Sequence, residues 1–299
     1  MTAPDRQRMA RILGIGIATL DIINRVDGYP AEDAEVRALS QQRRRGGNCT
    51  NTLAVLAQLG HRCAWGGVIA DEPDAQPILD DLSALGIDLS AIRREAGGKV
   101  PTSYVTLNCR NGSRTIVHYR DLPEFGYEDF ARIDLEPYQW LHFEGRHIAA
   151  TRQMLALARE RAPATPCSVE IEKPRPDIER LFDRAEVLLF SRHFAAARGF
   201  TDPERFLEAI GRETPACVRL LAWGEAGGYA LDRDGRAYHS PAYRPPVVED
   251  TLGAGDVFNA GIIDALLRNE SLEAALRAAC RLAGRKCGHD GLDFLRSPD

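Results

Sequence analysis

Short apolar runs alternate with helix-like segments along most of this 299-residue chain. The apolar runs predict strands, at 11–18, 63–69, 139–143, 166–171, 186–190 and 217–223. The other periodic segments predict helices, at 48–59, 74–85, 151–161, 202–212, 256–268 and 272–287. Buried strands that alternate with helices form a parallel sheet covered on both faces. The sequence therefore predicts an α/β fold of three layers (α/β/α), built on a mainly parallel central sheet.

Two segments, 22–45 and 99–120, depart from this pattern, because polar and apolar residues alternate within them as in half-exposed strands. Asn111-Gly112 marks a hairpin turn in the second segment. We expect the two segments to form a small β-sheet beside a core made of residues 1–21, 46–98 and 121–299. Both segments join the core near the same strand ends, so the small sheet is placed to act as a lid.

Charge and cysteine usage narrow the environment in which the chain works. The net charge of −5 argues against a nucleic-acid partner. Arg43-Arg44-Arg45 is the one cationic cluster, and we expect it to be a solvated face. The start of the chain is polar and ILGIGIATLDII is too short to span a bilayer, which argues against a membrane partner. Seven cysteines without a CxxC pair favour a reducing, cytoplasmic location.

The stretch EDTLGAGDVFNAG, residues 249–261, places a glycine-rich turn directly before an apolar helix. The free N–H groups and the positive dipole end of such a helix suit an anion, and Gly253 and Gly255 let it approach closely. Asp256 is a poor neighbour for a phosphate unless it acts on something else. The alternative is an ordinary first helical turn, in which an acid compensates the dipole.

A second stretch, RRGGNCTNTLAVLAQLG, sets Asn48 and Asn51 one turn apart at a helix start. Amides that both donate and accept suit the hydroxyl groups of a sugar, although a simply capped helix would have the same pattern. Asp21 follows the first strand, at the edge where ligands of open α/β sheets bind, and a plain turn aspartate is the alternative.

These stretches resemble the ribokinase-like (pfkB-type) carbohydrate kinases over nearly the whole chain. The resemblance depends on GGNCTN and on DTLGAGDVFNAGII, and HFEGR, VEIEKPR and AGRKCG extend it to the branch that phosphorylates ketohexoses. It implies an ATP- and Mg²⁺-dependent sugar kinase that converts D-fructose to D-fructose 1-phosphate. Two alternatives stay open: a kinase of ribose, another ketose or a nucleoside, and a non-catalytic sugar sensor.

The resemblance also implies roles for single residues. Asp256 would be the catalytic base, and the N–H groups of Gly253, Ala254 and Gly255 would form an anion hole. The sugar would be bound by Asp21, Gly47, Asn48 and Asn51, together with Asp256. The nucleotide would be bound by Arg114, Gly224, Glu225, Ala226, Gly227, Cys280, Ala283 and Cys287. An exposed strand arginine, a plain turn and buried small residues are the structural alternatives for the nucleotide set.

The expected metal arrangement is less complete. Much of the family has an Asn-x-x-Glu motif tied to Mg²⁺, whereas this chain reads FSRHFAAARG at that place. Glu170 and Glu172 are the nearest acidic candidates for the second shell of the metal, and ion-paired surface residues are the alternative. The resemblance further suggests activation by K⁺.

A homodimer is the last expectation. A small sheet with one face over the sugar and the other exposed is too small to be stable alone, and a second copy would cover it. The resemblance implies that the small sheet is both lid and dimer interface, and that Asp33, in YPAEDAEV, reaches the sugar of the partner chain. The alternative is a surface turn aspartate.

Overall fold

The computed structural model describes residues 9–214 and 217–295. Fourteen strands occur in these residues: β1 (Arg11–Ile15), β2 (Thr19–Val26), β3 (Ser40–Gly46), β4 (Arg62–Gly66), β5 (Val68–Ala70), β6 (Arg93–Glu95), β7 (Lys99–Asn108), β8 (Arg114–Asp121), β9 (Trp140–Glu144), β10 (Cys167–Ile171), β11 (Val187–Ser191), β12 (Val218–Ala222), β13 (Gly228–Leu231) and β14 (Ala237–Ser240). Eight of them form the central sheet in the order β14-β13-β12-β11-β10-β9-β1-β4. Its strands run parallel from β12 to β4, and β13 and β14 add an antiparallel edge.

The described residues also contain eight α-helices: α1 (Asn48–Gln58), α2 (Gln76–Ala84), α3 (Tyr127–Phe130), α4 (Ile148–Arg161), α5 (Arg192–Ala197), α6 (Pro203–Glu213), α7 (Ala254–Leu267) and α8 (Leu272–Cys287). No helix in the described part of the chain is long and apolar enough to cross a membrane.

The core is divided by the central sheet into two layers. Neighbouring strand residues point to opposite faces, so that Ile12 packs in one cluster and Leu13 in the other. Helices α1, α2, α7 and α8 cover the first face, and α4, α5 and α6 cover the second. This confirms the predicted three-layer α/β/α fold with a mainly parallel sheet.

The small sheet has the order β3-β2-β7-β8. β2 and β7 are parallel, and the two outer pairs are antiparallel. The sheet begins at Thr19, three residues before the predicted boundary, and residues 27–39 between β2 and β3 form a loop rather than strand.

The prediction of one strand over 11–18 is wrong, because β1 ends at Ile15 and β2 starts at Thr19. The backbone at Gly16 passes so close to its neighbours that an added Cβ would lie 2.4 Å from the Cβ of Cys49. The next N–H, of Ile17, donates to the Glu144 carboxylate over 3.0 Å. The chain therefore leaves the central sheet here and enters the small one, which leaves an open space between the two sheets.

Candidate active site

A cleft of about 1070 Å³ lies between the carboxyl ends of the central strands and one face of the small sheet. Glu144 and Ser191 enter it from the ends of β9 and β11. Asp21, Ser103 and His118 face it together from β2, β7 and β8, where they occupy paired positions. The open edge of a parallel sheet is where ligands of such folds bind, so this cleft is the candidate site.

The turn before α7 forms one wall of the cleft. Gly253 has φ 77°, a left-handed conformation that glycine adopts without strain, and α7 begins at the next residue. A Cβ built on Gly255 would meet no atom within 4 Å, so the turn is open to the cleft. Within the described residues the N–H groups of Gly253 and Gly255 have no hydrogen-bond partner, and that of Ala254 reaches Thr251 O at 3.4 Å. The turn can therefore accept an anion.

Asp256 lies in the first turn of α7, and only 7% of it is exposed. Its Oδ2 accepts a hydrogen bond of 2.7 Å from Asn51 Nδ2. Its pKa is raised to about 8, chiefly by burial and also by the carboxylates of Glu172 and Glu144, while the hydrogen bond from the Asn51 amide and the Arg45 cation oppose the rise. A buried carboxyl with a pKa near neutrality has the proton affinity that a general base requires.

Glu170 and two amides stand next to Asp256. Glu170 Oε1 accepts from Asn48 Nδ2 at 3.2 Å and from Asn259 Nδ2 at 3.0 Å. Its Oε2 is buried without a hydrogen-bond partner in the described part of the chain. Burial and the nearby Asp256 charge hold the pKa of Glu170 well above its ordinary value.

Asp21 is held at the opposite wall. Thr19 Oγ1 donates to its Oδ1 over 2.9 Å, and burial raises its pKa. An added Cβ at Gly46 would lie 2.2 Å from Asp21 Oδ2, so a larger residue there would displace the Asp21 carboxylate. The neighbouring Gly47 has φ 102°, and a Cβ added to it would lie 2.3 Å from Ile17 O. The glycine pair thus lets the chain pass Asp21 and start α1, which presents Asn48 and Asn51.

Arg114 reaches from the start of β8 toward the same turn. Its guanidinium donates to Thr251 Oγ1 over 3.2 Å. Thr251 lies two residues before Gly253 and lines the cleft. This contact places a cation beside the open N–H groups.

The structure brings most, but not all, of the predicted site residues to the cleft. Those that line it are Asp21, Gly47, Asn48, Asn51, Arg114, Glu170, Glu172, Gly253, Ala254, Gly255 and Asp256. Those that do not line it are Asp33, Gly224, Glu225, Ala226, Gly227, Cys280, Ala283 and Cys287.

The residues outside the cleft have identifiable places. Gly224–Ala226 form a short 3₁₀ turn after β12, and the last residue of β12, Ala222, lines the cleft. Cys280 is buried in α8, and its Sγ lies 3.6 Å from Ser240 O. Asp33 is exposed in the loop 27–39, with φ 61°.

A Mg²⁺ ion would find no cage of protein ligands here. The described residues contain no group of three or more His, Cys, Asp or Glu side chains able to hold a metal. Glu172 is ion-paired with Lys173 at 3.4 Å, and Glu170 keeps one unpartnered oxygen. This donor set fits an ion held mainly by substrate phosphates and water, which is how Mg²⁺ is commonly bound.

The expectation of a solvated Arg43-Arg44-Arg45 face is wrong for two of the three. The Arg45 side chain is 5% exposed and is bonded to Asp81 and Asn51. Arg44 contacts Asp250 at 3.2 Å and Asp290 at 2.6 Å. The acidic partners Asp81, Asp250 and Asp290 lie 36 or more residues away along the chain, so the local sequence does not reveal them.

Sequence reasoning missed three further residues of the site. Glu144, Asn259 and Arg45 all contact predicted site residues or the backbone beside them. A carboxylate at the end of a buried strand, in HFEGR, and an amide one turn after Asp256 were the available signals.

Comparison with known proteins shows which proteins the chain is similar to. The model of the pfkB family carbohydrate kinases matches residues 9–298. The chain is 41% identical over 293 residues to ketohexokinase of Mus musculus, covering 95% of this chain and 98% of that protein. It is 25% identical to the ATP-dependent ribose-1-phosphate kinase of Halopiger xanaduensis, and this match covers 95% of this chain and 94% of that protein. The structure of Arabidopsis thaliana ribokinase complexed with ribose and ATP superposes with a TM-score of 0.77 at 17% identity. The superposition covers 97% of this chain and 100% of the ribokinase chain.

Proposed function

The chain belongs to the pfkB family of carbohydrate kinases, and on that premise we propose that it phosphorylates a ketohexose, D-fructose, on its C1 hydroxyl. Its general activity is ATP-dependent phosphotransfer to a sugar. The observation that carries the proposal is the buried Asp256 carboxyl beside the open N–H groups of the turn before α7. The choice of a ketohexose follows the 41% identity to the mouse ketohexokinase.

In the proposed reaction the sugar hydroxyl oxygen attacks the γ-phosphorus of ATP, and the bond to the bridging oxygen breaks to release ADP. Asp256 accepts the hydroxyl proton. The N–H groups of Gly253, Ala254 and Gly255 bind the oxygens on which charge develops, and the dipole of α7 adds to their effect. This explains the acid in an anion site, because Asp256 faces the hydroxyl rather than the phosphate.

The sugar would lie between the two walls of the cleft. Asp21, Gly47, Asn48 and Asn51 offer a carboxylate, a backbone group and two amides, which together can both donate to and accept from hydroxyl groups. The rise in the pKa of Asp21 comes from burial and opposes ionisation, and hydrogen bonds from the sugar would oppose that rise.

The nucleotide would extend from the turn toward β12. Arg114 would bind its phosphates, and Gly224, Glu225, Ala226 and Gly227 would line it after β12. Cys280, Ala283 and Cys287 would flank the adenine, which requires the nucleotide to reach beyond the cleft lining seen here. Mg²⁺ would neutralise charge on the phosphates, with Glu170 and Glu172 acting on it through water. Activation by K⁺ depends on the family resemblance alone, and comparing rates in K⁺ and in a bulky organic cation tests it.

We also propose a homodimer formed through the outer face of the small sheet. That face exposes Tyr104, Val117 and Tyr119, which are 46–66% exposed, and a second copy of this chain is the proposed cover. Asp33 does not line the cleft of its own chain, which agrees with a role at the partner's sugar. A cytoplasmic location belongs to the same proposal and agrees with the seven free cysteines.

A substrate panel tests the proposed function. The protein is incubated with ATP, Mg²⁺ and, in turn, D-fructose, other ketoses, D-ribose and nucleosides, and the release of ADP is measured. We expect the highest kcat/KM with D-fructose and a product phosphorylated at C1, assigned by NMR. Preference for ribose or a nucleoside would move the proposal to that substrate, and no sugar-dependent release of ADP would favour a sugar sensor instead.

A further inference from the structure

Arg45 connects the small sheet to the first turn of α1 and, through it, to Asp256. We propose that Arg45 is a positioning residue that fixes the orientation of the Asn51 side-chain amide toward Asp256. The inference rests on the proposed function, because it takes Asp256 to be the base.

The orientation of the amide follows from the chemistry of its two neighbours. Arg45 Nη1 donates to Asn51 Oδ1 over 2.7 Å, and Asn51 Nδ2 donates to Asp256 Oδ2 over 2.7 Å. A guanidinium can only donate hydrogen bonds, so the amide oxygen must face Arg45. The amide NH₂ group then has to face Asp256. This assignment does not depend on distinguishing the oxygen and nitrogen of the amide by their positions.

Arg45 is itself held in place. Its side chain is 5% exposed and pairs through Nε with Asp81, the sixth residue of α2. Arg45 extends from β3 of the small sheet and is bonded to two helices of the core, through Asn51 of α1 and Asp81 of α2. Arg43, two residues earlier on the same strand, pairs with Asp74 and does not contact Asn51.

The consequence concerns the protonation of Asp256. If the amide were reversed, its oxygen would face the carboxyl, and only a protonated Asp256 could then form the hydrogen bond. A protonated carboxyl cannot accept the hydroxyl proton. The present orientation instead donates to the carboxylate and favours the ionised form.

This matters because the other charges around Asp256 oppose ionisation. Glu144 from β9, Glu170 from β10 and Glu172 just after it are carboxyl groups close to Asp256, and their charges disfavour a further anion. Arg45 is a cation that acts on Asp256 in the opposite direction, and Asn51 donates a hydrogen bond to the Asp256 carboxylate. Loss of Arg45 removes the effect of its positive charge on Asp256. It also leaves the Asn51 amide free to reverse, so that the amide oxygen would face the carboxyl.

The test is a mutant cycle measured as kcat at saturating sugar and ATP, with equilibrium sugar binding measured separately. We expect Arg45→Met to lower kcat about tenfold or more while the affinity for D-fructose changes less than about threefold. Arg45→Lys keeps a cationic donor and should recover most of kcat. In an Asn51→Ala background, Arg45→Met should lower kcat clearly less than it does in the parent, because only the charge effect of Arg45 is then lost and the amide that it orients is absent.

Controls separate this inference from folding and from the proposed function. Arg43→Met removes a cation and an ion pair of the small sheet, and should leave kcat within about twofold of the parent. If Arg45→Met does not fold, Arg45→Met/Asp81→Asn replaces it, because that double variant leaves no unpaired carboxylate. Equal losses in both Asn51 backgrounds would overturn the inference. So would an Arg45→Met variant of parental kcat beside an Asp256→Asn variant that is about 100-fold slower. An Asp256→Asn variant of parental kcat would overturn the proposed role of Asp256 and the inference with it.

Discussion

At the scale of single residues, ionisation of the Asp256 carboxyl is energetically unfavourable in the folded protein. Asp256 is buried, the charged groups near it include other carboxyl groups, and its carboxylate accepts a hydrogen bond from Asn51. Sites that need a base near neutral pH are built in this way, at a cost in stability. The cost should be measurable in the protein without ligands.

The replacement Asp256→Asn is expected to stabilise the protein more at high pH than at low pH. The pKa of Asp256 is about 8 in the folded protein, against an ordinary value of 3.8. Between those values the folded state holds a proton that the unfolded chain has lost, so stability falls as pH rises through this window. The asparagine variant lacks this titration. Its free energy of unfolding relative to the parent should therefore grow between pH 5 and pH 8, by up to about 1.4 kcal/mol per pH unit, and then level off.

Urea unfolding of both proteins at pH 5, 7 and 9 provides the measurement. A difference between variant and parent that stays constant over this range would show that the pKa of Asp256 is not raised.

The sequence indicated many single residues of the site but few of their partners. Asn51 and Asp256 could both be predicted because each stands in a short motif with a definite local geometry. Their hydrogen bond joins residues 205 positions apart, and nothing local specifies it. The prediction for Arg45 was wrong for the same reason, since a run of three arginines is ordinarily solvated and its partner Asp81 belongs to another element.

At the scale of elements, α8 supports the turn before α7 through a buried charge. Lys286, in the last turn of α8, has no exposed surface and donates to Asp250 O over 2.6 Å and to Asp250 Oδ2 over 2.9 Å. Asp250 Oδ1 also accepts from the N–H of Leu252, and its Oδ2 from that of Gly291. The pair thus fixes the start of the segment that ends in Gly253 and Asp256.

Replacing Lys286 by Met should destabilise the protein strongly. The substitution leaves the Asp250 carboxylate buried with one cation fewer, and removing one partner of a buried pair costs about 3–5 kcal/mol. Arg277→Met on the same helix breaks an exposed pair with Glu273 and should cost less than about 1 kcal/mol. Chemical denaturation at pH 7 compares the two variants. Equal, small losses would mean that the buried pair does not hold the turn.

Most of the long helices could be predicted from the sequence, but the point at which the first strand ends could not. Helices α1, α2, α6, α7 and α8 lie within two residues of the predicted bounds. α6 and α8 each have one apolar face, whereas α7 is buried along most of its length. The break between β1 and β2 was missed, because ILGIGIATLDII is almost continuously apolar as far as Asp21 and does not reveal that the chain leaves one sheet for another. What forces the break is the close approach of Cys49 and Glu144, which come from other parts of the chain.

At the scale of the whole molecule, the small sheet has two different faces. One lines the cleft through Asp21, Ser103 and His118, and the other exposes Tyr104 and Val117, which are paired across β7 and β8. An apolar outer face beside a site suggests that a second chain completes both the sheet and the site. The proposed dimer makes this testable.

Complementation tests the proposed exchange of Asp33. Asp33→Ala and Asp256→Ala chains should each be nearly inactive alone. When the two chains are co-expressed, random pairing gives mixed dimers in about half of the molecules, and each mixed dimer has one intact site. About a quarter of the sites should then work, as the symmetry of a two-fold dimer requires. Purified mixed dimers without activity would place Asp33 outside the partner's site, and a protein that is monomeric at micromolar concentration would contradict the dimer itself.

The measurement that tests the central claim most directly is the rate of fructose phosphorylation by Asp256→Asn, with D-fructose binding measured on the same preparation. Asparagine keeps the size of the side chain and removes its basicity. We predict that kcat falls by about 10²–10⁴ while the affinity for D-fructose changes less than about threefold. A variant that binds D-fructose normally and phosphorylates it within a few fold of the parent rate would contradict the role of Asp256 as the base.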